Sequence, residues 1–474
     1  MTSVPMPAPV ASAVQQAAGE LGCAVWLVGG AVRDPFLGRT VLDFDFAVDG
    51  PARRLARAVA AHLRSAYYDL DTDRDAGRVV PVGAAGDWHS LDFARLRAGS
   101  IDQDLGLRDF TINAMARPLG GEDLVDPTAG LQDLRAGQLR PCQPDSIAQD
   151  PVRALRAVRL GHELGFRLTP DLIQAVRMAR TDLGQVSPER QRDELFRLLG
   201  LPQAAGALRV ANQMELLTAV LPGWRDSGAI EVGVRLADRL LAILGAFVGP
   251  HDDEDSGDVV LAQASLRLGR FRMELAMDLA ERVTGDRSRR QLLVLAALYA
   301  GPICSNRVSQ PIPDLTDAAE LLRLSGAEHQ HLAAVQRGMA ASQDEAWLSG
   351  LTPLDHYRYF RGYGPAGVEL ILLALGCCLA RFDGPPDPDL WRAWLDRARS
   401  HLETYYERRD LLSPEPLIRG DRLASDLGRA PGPWLGEALE AIREAQIAGR
   451  VTDRAGALAA GRQALAAFEA SKDG

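Results

Sequence analysis

The pattern of apolar residues changes once along the 474-residue chain, close to residue 140. Before that point, short apolar runs bounded by Gly, Asp or Pro alternate with helical segments, which is typical of an α/β domain. Four of these runs predict strands that can form one mixed sheet: 25–28, 42–48, 79–82 and 91–93. We therefore expect residues 1–140 to form an α/β domain.

Beyond that point the apolar spacing is helical throughout. Three helices are predicted first, each with a proline near its first turn: 151–164, 170–180 and 188–199. Later segments rich in Gly, Pro or acidic residues predict breaks between helices: 249–257, 301–313, 384–388 and 413–416. We expect an all-α remainder in three domains, called here the neck, the body and the tail: 141–205, 206–350 and 351–474.

Charge and composition limit the classes of function. The formal net charge of −10 argues against a protein that coats nucleic acid through charge alone, so any RNA contact must be local. The chain has no apolar run of about 18 residues and no secretory signal pattern, so we expect a cytoplasmic protein with no membrane association. The cysteines lack CxxC spacing and histidine partners, and we expect buried thiols rather than zinc ligands or disulfides: Cys23, Cys142, Cys304, Cys377 and Cys378.

The first candidate site is a turn between a strand and a helix. Residues 25–34 predict a buried strand, a turn at Gly29 and Gly30, and a helix that begins near Ala31. Glycines permit a tight turn and let backbone N–H groups approach phosphate oxygens, and a helix N-terminus favours negative charge. Arg33 adds guanidinium donors that suit phosphate. The same turn is common as plain architecture, so it indicates a nucleotide only together with a second motif.

The second candidate site is a pair of carboxylates on one predicted strand. The strand period of two points Asp43 and Asp45 to one face and Phe44 and Phe46 to the other. Two carboxylates about 6–7 Å apart repel each other, and a divalent cation removes that cost. Magnesium prefers such oxygen ligands and leaves positions open for phosphates. Asp92, on a neighbouring predicted strand, is the candidate third acid; the alternative is solvated aspartates at a strand edge.

These sites begin a series of motifs in a fixed order: Gly-Gly-Ala-Val-Arg-Asp at 29–34, Asp-Phe-Asp at 43–45, Arg-Asp-Phe-Thr-Ile-Asn-Ala at 108–114, Asp-Pro-Val-Arg-Ala-Leu-Arg-Ala-Val-Arg at 150–159, Leu-Gly-Phe at 164–166 and Pro-Glu-Arg-Gln-Arg-Asp-Glu-Leu at 188–195. A looser match lies at 416–436. The series resembles the class II tRNA nucleotidyltransferase and bacterial poly(A) polymerase family. The resemblance implies a polymerase β-like α/β head with a mixed sheet, followed by the all-α neck, body and tail.

The resemblance also implies the site residues of a magnesium-dependent enzyme. Asp43, Asp45 and Asp92 would be the catalytic residues and would hold Mg²⁺. The implied nucleotide-binding residues form a larger set: Gly29, Gly30, Arg33, Arg108, Asp109, Asn113, Asp150, Arg153, Arg156 and Arg159.

In the 108–114 motif, the family implies that Arg108 contacts phosphate, that Asp109 contacts the ribose hydroxyls and that Asn113 supports them. The alternative for Asp109 is a helix N-cap. Two positions depart from the family pattern, which commonly has Arg before Arg108 and Glu before Asp150: Leu107 and Gln149.

Asp150 and Arg153 are predicted to lie side by side at the start of a helix. A carboxylate beside a planar guanidinium can read the Watson–Crick edge of a base without a template. By resemblance the pair selects CTP and ATP, and Arg156 and Arg159 reach the phosphates. The alternatives are a salt bridge within an amphipathic helix and a capping role for Asp150.

The length of one segment indicates the product. Family members that build all of CCA resemble one another in carrying a flexible, arginine-containing loop before the 108–114 motif, whereas only residues 97–107 follow the preceding strand here. The chain therefore resembles members that add two cytidines from CTP to tRNA and leave the last adenosine to a separate A-adding enzyme. Full CCA addition with CTP and ATP, and poly(A) addition, are the alternatives within the family.

Two further classes remain open. A non-catalytic RNA-binding protein would be expected to have lost a carboxylate, and a small-molecule nucleotidyltransferase would lack the long helical part. His251 and Asp252 suggest a phosphohydrolase site but are interpreted as a solvated loop. The helical part is expected to hold tRNA by shape and backbone, with candidate phosphate contacts from five arginines: Arg190, Arg192, Arg287, Arg289 and Arg290.

Overall fold

The structure is a computed structural model that describes residues 6–83, 87–121, 123–221, 223–224, 227–248, 258–285, 287–305, 314–341, 351–382 and 384–471. The predicted break at 249–257 and the pair His251 and Asp252 lie outside these residues. The chain divides into two compact units. Unit 1 comprises Met1–Glu194 and Met214–Ala219, and unit 2 comprises Leu195–Gln213 and Val220–Gly474.

Elements of both types alternate as far as residue 139. In chain order they are α1 (Ala8–Leu21), β1 (Ala24–Val28), α2 (Gly30–Arg33), β2 (Asp43–Asp49), α3 (Ala52–Leu63), β3 (Ala66–Asp71), β4 (Ala76–Val80), β5 (Ser90–Arg95), α4 (Ile101–Gly106), β6 (Ala116–Pro118), α5 (Gly130–Ala136) and β7 (Gln138–Leu139). Short 3₁₀ turns lie at Asp34–Leu37 and Thr111–Asn113.

The described remainder is helical apart from three very short strands. In chain order it contains α6 (Ser146–Gln149), α7 (Arg153–Leu164), β8 (Arg167–Leu168), α8 (Pro170–Ala179), α9 (Pro188–Leu199), α10 (Ala204–Gln213), α11 (Leu216–Val220), α12 (Ser227–Val248), α13 (Val259–Leu268), α14 (Arg272–Ala280), β9 (Arg282–Thr284), β10 (Arg287–Ser288), α15 (Arg289–Ser305), α16 (Leu315–Leu321), α17 (Gly326–Ala341), α18 (Pro353–Tyr363), α19 (Ala366–Ala380), α20 (Pro388–Glu407), α21 (Arg409–Leu412), α22 (Gly420–Asp426), α23 (Pro433–Ile447) and α24 (Arg454–Ala470). The predicted fold class is confirmed.

One mixed sheet organises unit 1. Its strand order is β3-β4-β5-β2-β1-β6, with β2 and β5 parallel and the other pairs antiparallel. Phe44 and Phe46 are buried, and Phe46 stacks on Phe93 of β5 with ring centroids 4.7 Å apart. A Cβ on Gly77 of β4 would lie 3.3 Å from the Cβ of Ala56 in α3, so this apolar face packs against α3. The alternate residues of β2 and β5 consequently lie on the opposite face.

The four predicted strands are confirmed as β1, β2, β4 and β5, whereas β3 and β6 were missed. The edge strand β3 has no buried residue, and its sequence shows no apolar alternation. Strand β6 has three residues and ends in Pro118. Such strands are fixed by pairing with their neighbours, which short sequence windows do not contain.

Unit 2 is built around long helices that pack closely. Helix α12 packs against α10, α15 and α19. A Cβ on Gly233 of α12 would lie 2.1 Å from the carbonyl oxygen of Leu298 in α15, and one on Gly301 would lie 2.4 Å from the Cα of Gly233. The two backbones approach so closely that only glycine fits at these positions. The last helices, α22 to α24, bury a cluster of their own around Trp434.

One sequence expectation for unit 2 is wrong. Cys304 and Cys377 form a disulfide rather than remaining thiols, because α15 and α19 bring together cysteines that are 73 residues apart. The free thiols are Cys23, Cys142 and Cys378, of which only Cys378 is fully buried. Helix α15 continues through Pro302 to Ser305 and so ends within the predicted break at 301–313, of which residues 306–313 lie outside the described residues.

The other helix predictions agree with the described residues. Helix α7 begins two residues later than predicted, and α8 and α9 occupy 170–179 and 188–199. The breaks at 384–388 and 413–416 separate consecutive helices. The division of the helical remainder into neck, body and tail stays a prediction.

Within the described residues, no single helix has the length and hydropathy required to cross a bilayer. Helices α18 and α19 meet the criterion only as a pair bent by 105°.

Candidate active site

The turn between β1 and α2 lies against the acidic face of the sheet. Gly29 has φ +70° and ψ −137°, a conformation that L-residues rarely adopt. A Cβ at this position would lie 3.4 Å from Oδ2 of Asp45 and 3.6 Å from Nη1 of Arg108. Helix α2 begins at Gly30, so its free N–H groups start at the same place. The turn therefore brings together backbone donors, a carboxylate and a guanidinium.

Asp43 and Asp45 both lie on the exposed face of β2, as predicted. Ser90 of β5 donates a hydrogen bond from Oγ to Oδ1 of Asp43 at 2.6 Å. Asp45 is accessible to solvent, but many protein atoms surround its carboxylate, and this desolvation together with the charges of Asp92 and Asp43 raises its pKa to about 6. Arg108 opposes the rise. Desolvation is therefore the largest cause of the raised pKa, and the two neighbouring carboxylates add to it.

Asp92 of β5 is the direct neighbour of Asp45 in the parallel register. Arg78 of β4 is its partner on the other side: it donates from Nε to Oδ1 at 2.7 Å and from Nη2 to Oδ2 at 2.6 Å. With the side chains in this arrangement, the described part of the chain contains no group of three His, Cys, Asp or Glu side chains that could hold a metal ion. The assignment of Asp92 as a metal ligand stays a prediction.

The chemistry of these donors fits a hard divalent cation. Asp43, Asp45 and Asp92 supply only carboxylate oxygens, which is the ligand type that Mg²⁺ prefers. Desolvation and the charges of Asp92 and Asp43 raise the pKa of Asp45, and a cation beside these carboxylates would favour their ionised form. Within the described residues, the buried Nε of Arg108 has no hydrogen-bond partner, which leaves a donor for a phosphate beside the acids.

Asp109 is buried behind Arg108 and does not cap a helix, so that alternative is wrong. The N-cap residue of the turn Thr111–Asn113 is Phe110, and it makes no side-chain cap. The Asp109 carboxylate accepts hydrogen bonds from Phe110 N at 2.8 Å, Asn113 Nδ2 at 3.2 Å and Arg156 Nη1 at 3.1 Å. Burial acts to raise the pKa of Asp109, but Arg156 and these hydrogen bonds keep it below the ordinary value.

Arg33 is also buried, and it contacts Asn113, a hydrogen-bond partner of Asp109. It donates from Nη1 to Oδ1 of Asn113 at 2.6 Å and from Nε to Oδ1 of Asp34 at 2.8 Å. The side chain of Asn113 therefore links Arg33 to Asp109. The guanidinium of Arg33 is engaged by Asn113 and Asp34 in the structure. Its predicted phosphate contact stays a prediction.

Glu194 of α9 is a site residue that was missed from the sequence. Its carboxylate is buried and accepts from Arg156 Nε at 2.9 Å and Nη2 at 2.7 Å, and from Arg159 Nε at 3.0 Å. Arg159 also donates to Glu163 at 2.7 Å. Glu194 lies in the 188–195 motif, but its partners are more than 30 residues away, so only the motif resemblance pointed to it. It fixes both arginines relative to Asp109.

Asp150 and Arg153 lie close together, as predicted, with 3.7 Å between Oδ2 and Nε. The capping role of Asp150 is wrong: α7 begins at Arg153, and its N-cap residue is Val152. Arg153 is held by backbone oxygens, donating to Ser146 at 3.1 Å and to the carbonyl of Leu107 at 3.2 Å. The backbone at Ser146 and Leu107 thus holds Arg153 beside Asp150.

The arginines proposed for tRNA contact have other partners. Arg190 donates to Asp150 at 2.7 Å, and Arg192 donates to Asp193 at 2.9 Å. The prediction for Arg289 is wrong, because this residue is only 3% exposed and pairs with the buried Glu369. Two others are also engaged: Arg287 with the buried Glu328, and Arg290 with backbone carbonyls at 199–201.

The head sheet, the glycine turn and the paired acids define a class. Residues 25–140 match a family model described as Poly A polymerase head domain, and residues 165–227 match one described as Probable RNA and SrmB- binding site of polymerase A. The chain therefore contains the head of a nucleotidyltransferase.

Full-length relatives specify the family. A CC-adding tRNA nucleotidyltransferase of Geobacter sulfurreducens is 31% identical over 463 residues, covering 96% of this chain and 94% of that protein. An A-adding tRNA nucleotidyltransferase of Deinococcus radiodurans is 32% identical over 436 residues, covering 90% and 92%. The chain belongs to the tRNA nucleotidyltransferase family, which confirms the resemblance inferred from its motifs.

A solved structure supports the fold. The complex of a CCA-adding enzyme with CTP has a TM-score of 0.61 at 21% identity, covering 98% of this chain and 96% of that one. The names of these proteins include CC-adding, A-adding and CCA-adding enzymes. The chain is thus an enzyme of this family.

Proposed function

We propose that this enzyme adds two cytidines from CTP to the 3′ end of tRNA, releases pyrophosphate, and stops before the adenosine. The observation that carries the proposal is the conformation of residues 97–107. Helix α4 fills most of this segment, and the side chain of Ser100 caps its N-terminus by accepting from Gln103 N at 3.3 Å. In relatives that build all of CCA, this position is expected to carry a longer flexible loop.

Asp104 holds the segment in place. It is 3% exposed and accepts from Arg97 N at 3.0 Å, from Arg97 Nε at 3.1 Å and from Arg108 Nη2 at 3.4 Å. Burial opposes the charge of Asp104, but the hydrogen bonds and Arg108 lower its pKa, so the carboxylate stays ionised. A segment fixed by a buried carboxylate costs free energy to rearrange, which disfavours a change of the pocket from CTP to ATP.

The positions of the other residues support the roles proposed for them. Asp43, Asp45 and Asp92 would hold Mg²⁺, and the chemistry that bound Mg²⁺ supplies is activation of the RNA 3′-hydroxyl and stabilisation of the leaving phosphates. Nη1 of Arg108 would lie 3.6 Å from a Cβ on Gly29, so this guanidinium is beside the turn and would contact the triphosphate there. Preorganised donors of this kind stabilise developing charge without reorganisation.

Selection of the nucleotide is assigned to Asp150 and Arg153. Arg153 is fixed by Ser146 and Leu107, so its remaining donor edge and the Asp150 carboxylate can be presented to a base in one orientation. Cytosine offers an amino donor to a carboxylate and acceptors to a guanidinium. The contact from Leu107 connects this pair to the segment held by Asp104.

The test uses a tRNA that lacks CCA, with CTP and ATP both present. The expected product carries two added cytidines and no adenosine, identified by gel length and 3′-end sequencing. A second reaction starts from tRNA that ends in CC and contains ATP alone, and we expect no extension. Efficient addition of adenosine in either reaction would reject CC-only addition and favour full CCA addition. Extension of an unrelated RNA with ATP alone would identify a poly(A) polymerase.

A further inference from the structure

The Arg78 side chain pairs with a carboxylate that the proposed magnesium site needs as a ligand. It makes a bidentate ion pair with Asp92, the third acid of the proposed magnesium site, at 2.7 and 2.6 Å. Arg78 and Asp92 are paired in the antiparallel register of β4 and β5, so the backbone places the two side chains next to each other on the acidic face. Each oxygen of Asp92 thereby accepts one charged hydrogen bond from Arg78.

We propose that Arg78 competes with the divalent cation for Asp92, and that the ion pair must open before the third carboxylate can bind metal. The inference rests on the proposed magnesium site and assigns a new role to a residue outside the family motifs. In this arrangement Arg78 is a positioning residue: it neutralises Asp92 when no cation is bound, and it sets the metal concentration at which all three acids are engaged.

The surroundings of Arg78 allow its side chain to move away from Asp92. Its side chain is 42% exposed, against 23% for Asp92, so the guanidinium can move into solvent without crossing the core. Among the residues described, Asp92 is its only hydrogen-bond partner. Asp43 and Asp45 also act on Arg78 through charge, so a freed guanidinium stays attracted to the same face.

The electrostatics around the pair give the direction of the effect. A cation that binds Asp43, Asp45 and Asp92 must displace one positive charge and then experience its repulsion. The apparent metal affinity of a carboxylate equals its intrinsic affinity multiplied by the fraction of time that the carboxylate is free. For a partly exposed ion pair, removal of the arginine should strengthen metal binding by about three- to tenfold.

The experiment is a titration of the full-length protein with MnCl₂, in which the electron paramagnetic resonance signal of free Mn²⁺ gives the dissociation constant without nucleotide or tRNA. We expect Arg78→Ala to bind Mn²⁺ about three- to tenfold more tightly than the wild type. Arg78→Gln, which keeps amide donors but loses the charge, should show the same direction and guards against misfolding of the alanine variant. Unchanged or weaker binding in folded Arg78 variants would overturn the inference.

Two controls make the result specific. Arg53→Ala removes an arginine that pairs with Asp69 at 2.6 Å in the same unit and touches none of the three acids, so its Mn²⁺ affinity should equal that of the wild type. In an Asp92→Asn background, Arg78→Ala should no longer strengthen binding, because the competition has no target. If Arg78→Ala strengthens binding equally in that background, the effect is general charge and the inference fails. If neither wild type nor variants bind Mn²⁺, the magnesium site itself is wrong.

Discussion

Replacing Glu194 by glutamine tests how much of the nucleotide site depends on one buried carboxylate. Glu194 is 3% exposed and accepts three charged hydrogen bonds from Arg156 and Arg159. Glu194→Gln retains one acceptor oxygen and turns an amide group towards a guanidinium. Removal of one partner from a buried charge pair costs about 3–5 kcal/mol, and partial exposure of Arg156 reduces the expected loss to about 2–3 kcal/mol.

The assay is urea unfolding followed by circular dichroism, read as the midpoint and slope of the transition. Glu163→Gln is the matched control, because Glu163 also accepts from Arg159 but is 26% exposed, and its replacement should cost less than about 1 kcal/mol. Glu194→Gln should in addition raise KM for CTP, since Arg156 also holds Asp109. If Glu194→Gln costs no more than Glu163→Gln and leaves KM unchanged, the buried network does not organise the site.

Three further predictions concern the turn, the core of unit 2 and its histidines. Gly29→Ala should lower the free energy of unfolding in urea by about 1–3 kcal/mol, because φ is +70° and alanine is strained there, and it should raise KM for CTP. Wild-type stability and KM in this variant would show that the turn does not require glycine. Arg289→Met should lower the urea midpoint by removing the partner of buried Glu369, while Mn²⁺ affinity of the folded protein stays unchanged. Burial, with help from nearby Arg397, lowers the pKa of His356 to about 4, and burial, with nearby His356, lowers the pKa of His401 well below its usual value. The stability that the neutral histidines contribute is therefore present above about pH 6.5 and is lost as pH falls towards 4. Unfolding measured across that range should be less pH-dependent in the double variant His356→Gln/His401→Gln, and an identical slope would show that the histidines are not responsible.

The sequence was most informative where the signal is local. The alternation of Asp43 and Asp45 with Phe44 and Phe46 predicted which side chains face the core, and the structure confirms it. A strand period of two is a property of five or six consecutive residues, so no tertiary contact is needed to recognise it. The glycine turn was recognisable for the same reason.

Contacts between distant residues were not predictable in this way. The pairing of Arg78 with Asp92 depends on the register of β4 and β5, and that of Glu194 with Arg156 depends on how α9 packs near α7. Cys304 and Cys377 meet only because α15 and α19 are neighbours in the fold. In each case tertiary packing brings the two residues together, and the sequence around either residue alone does not predict the other as its partner.

Residue type suggested helix-capping roles that the structure does not show. Asp109 looked like a helix cap by residue type, but it is a buried acceptor for Arg156 and Asn113. Asp150 also looked like a cap, but it lies beside Arg153 and Arg190. Residue type alone therefore favoured local hydrogen bonds over the tertiary contacts that form.

We propose that two aspartates on β2, beside the glycine turn, hold the magnesium and nucleotide that extend tRNA. The most direct test measures incorporation of radiolabelled CTP into tRNA lacking CCA by Asp43→Asn. Asp49→Asn is the matched control, since Asp49 is the exposed last residue of the same strand. We expect Asp43→Asn to lose at least about 100-fold in rate and Asp49→Asn to stay within about threefold of wild type. Incorporation by Asp43→Asn at the wild-type rate would contradict the account.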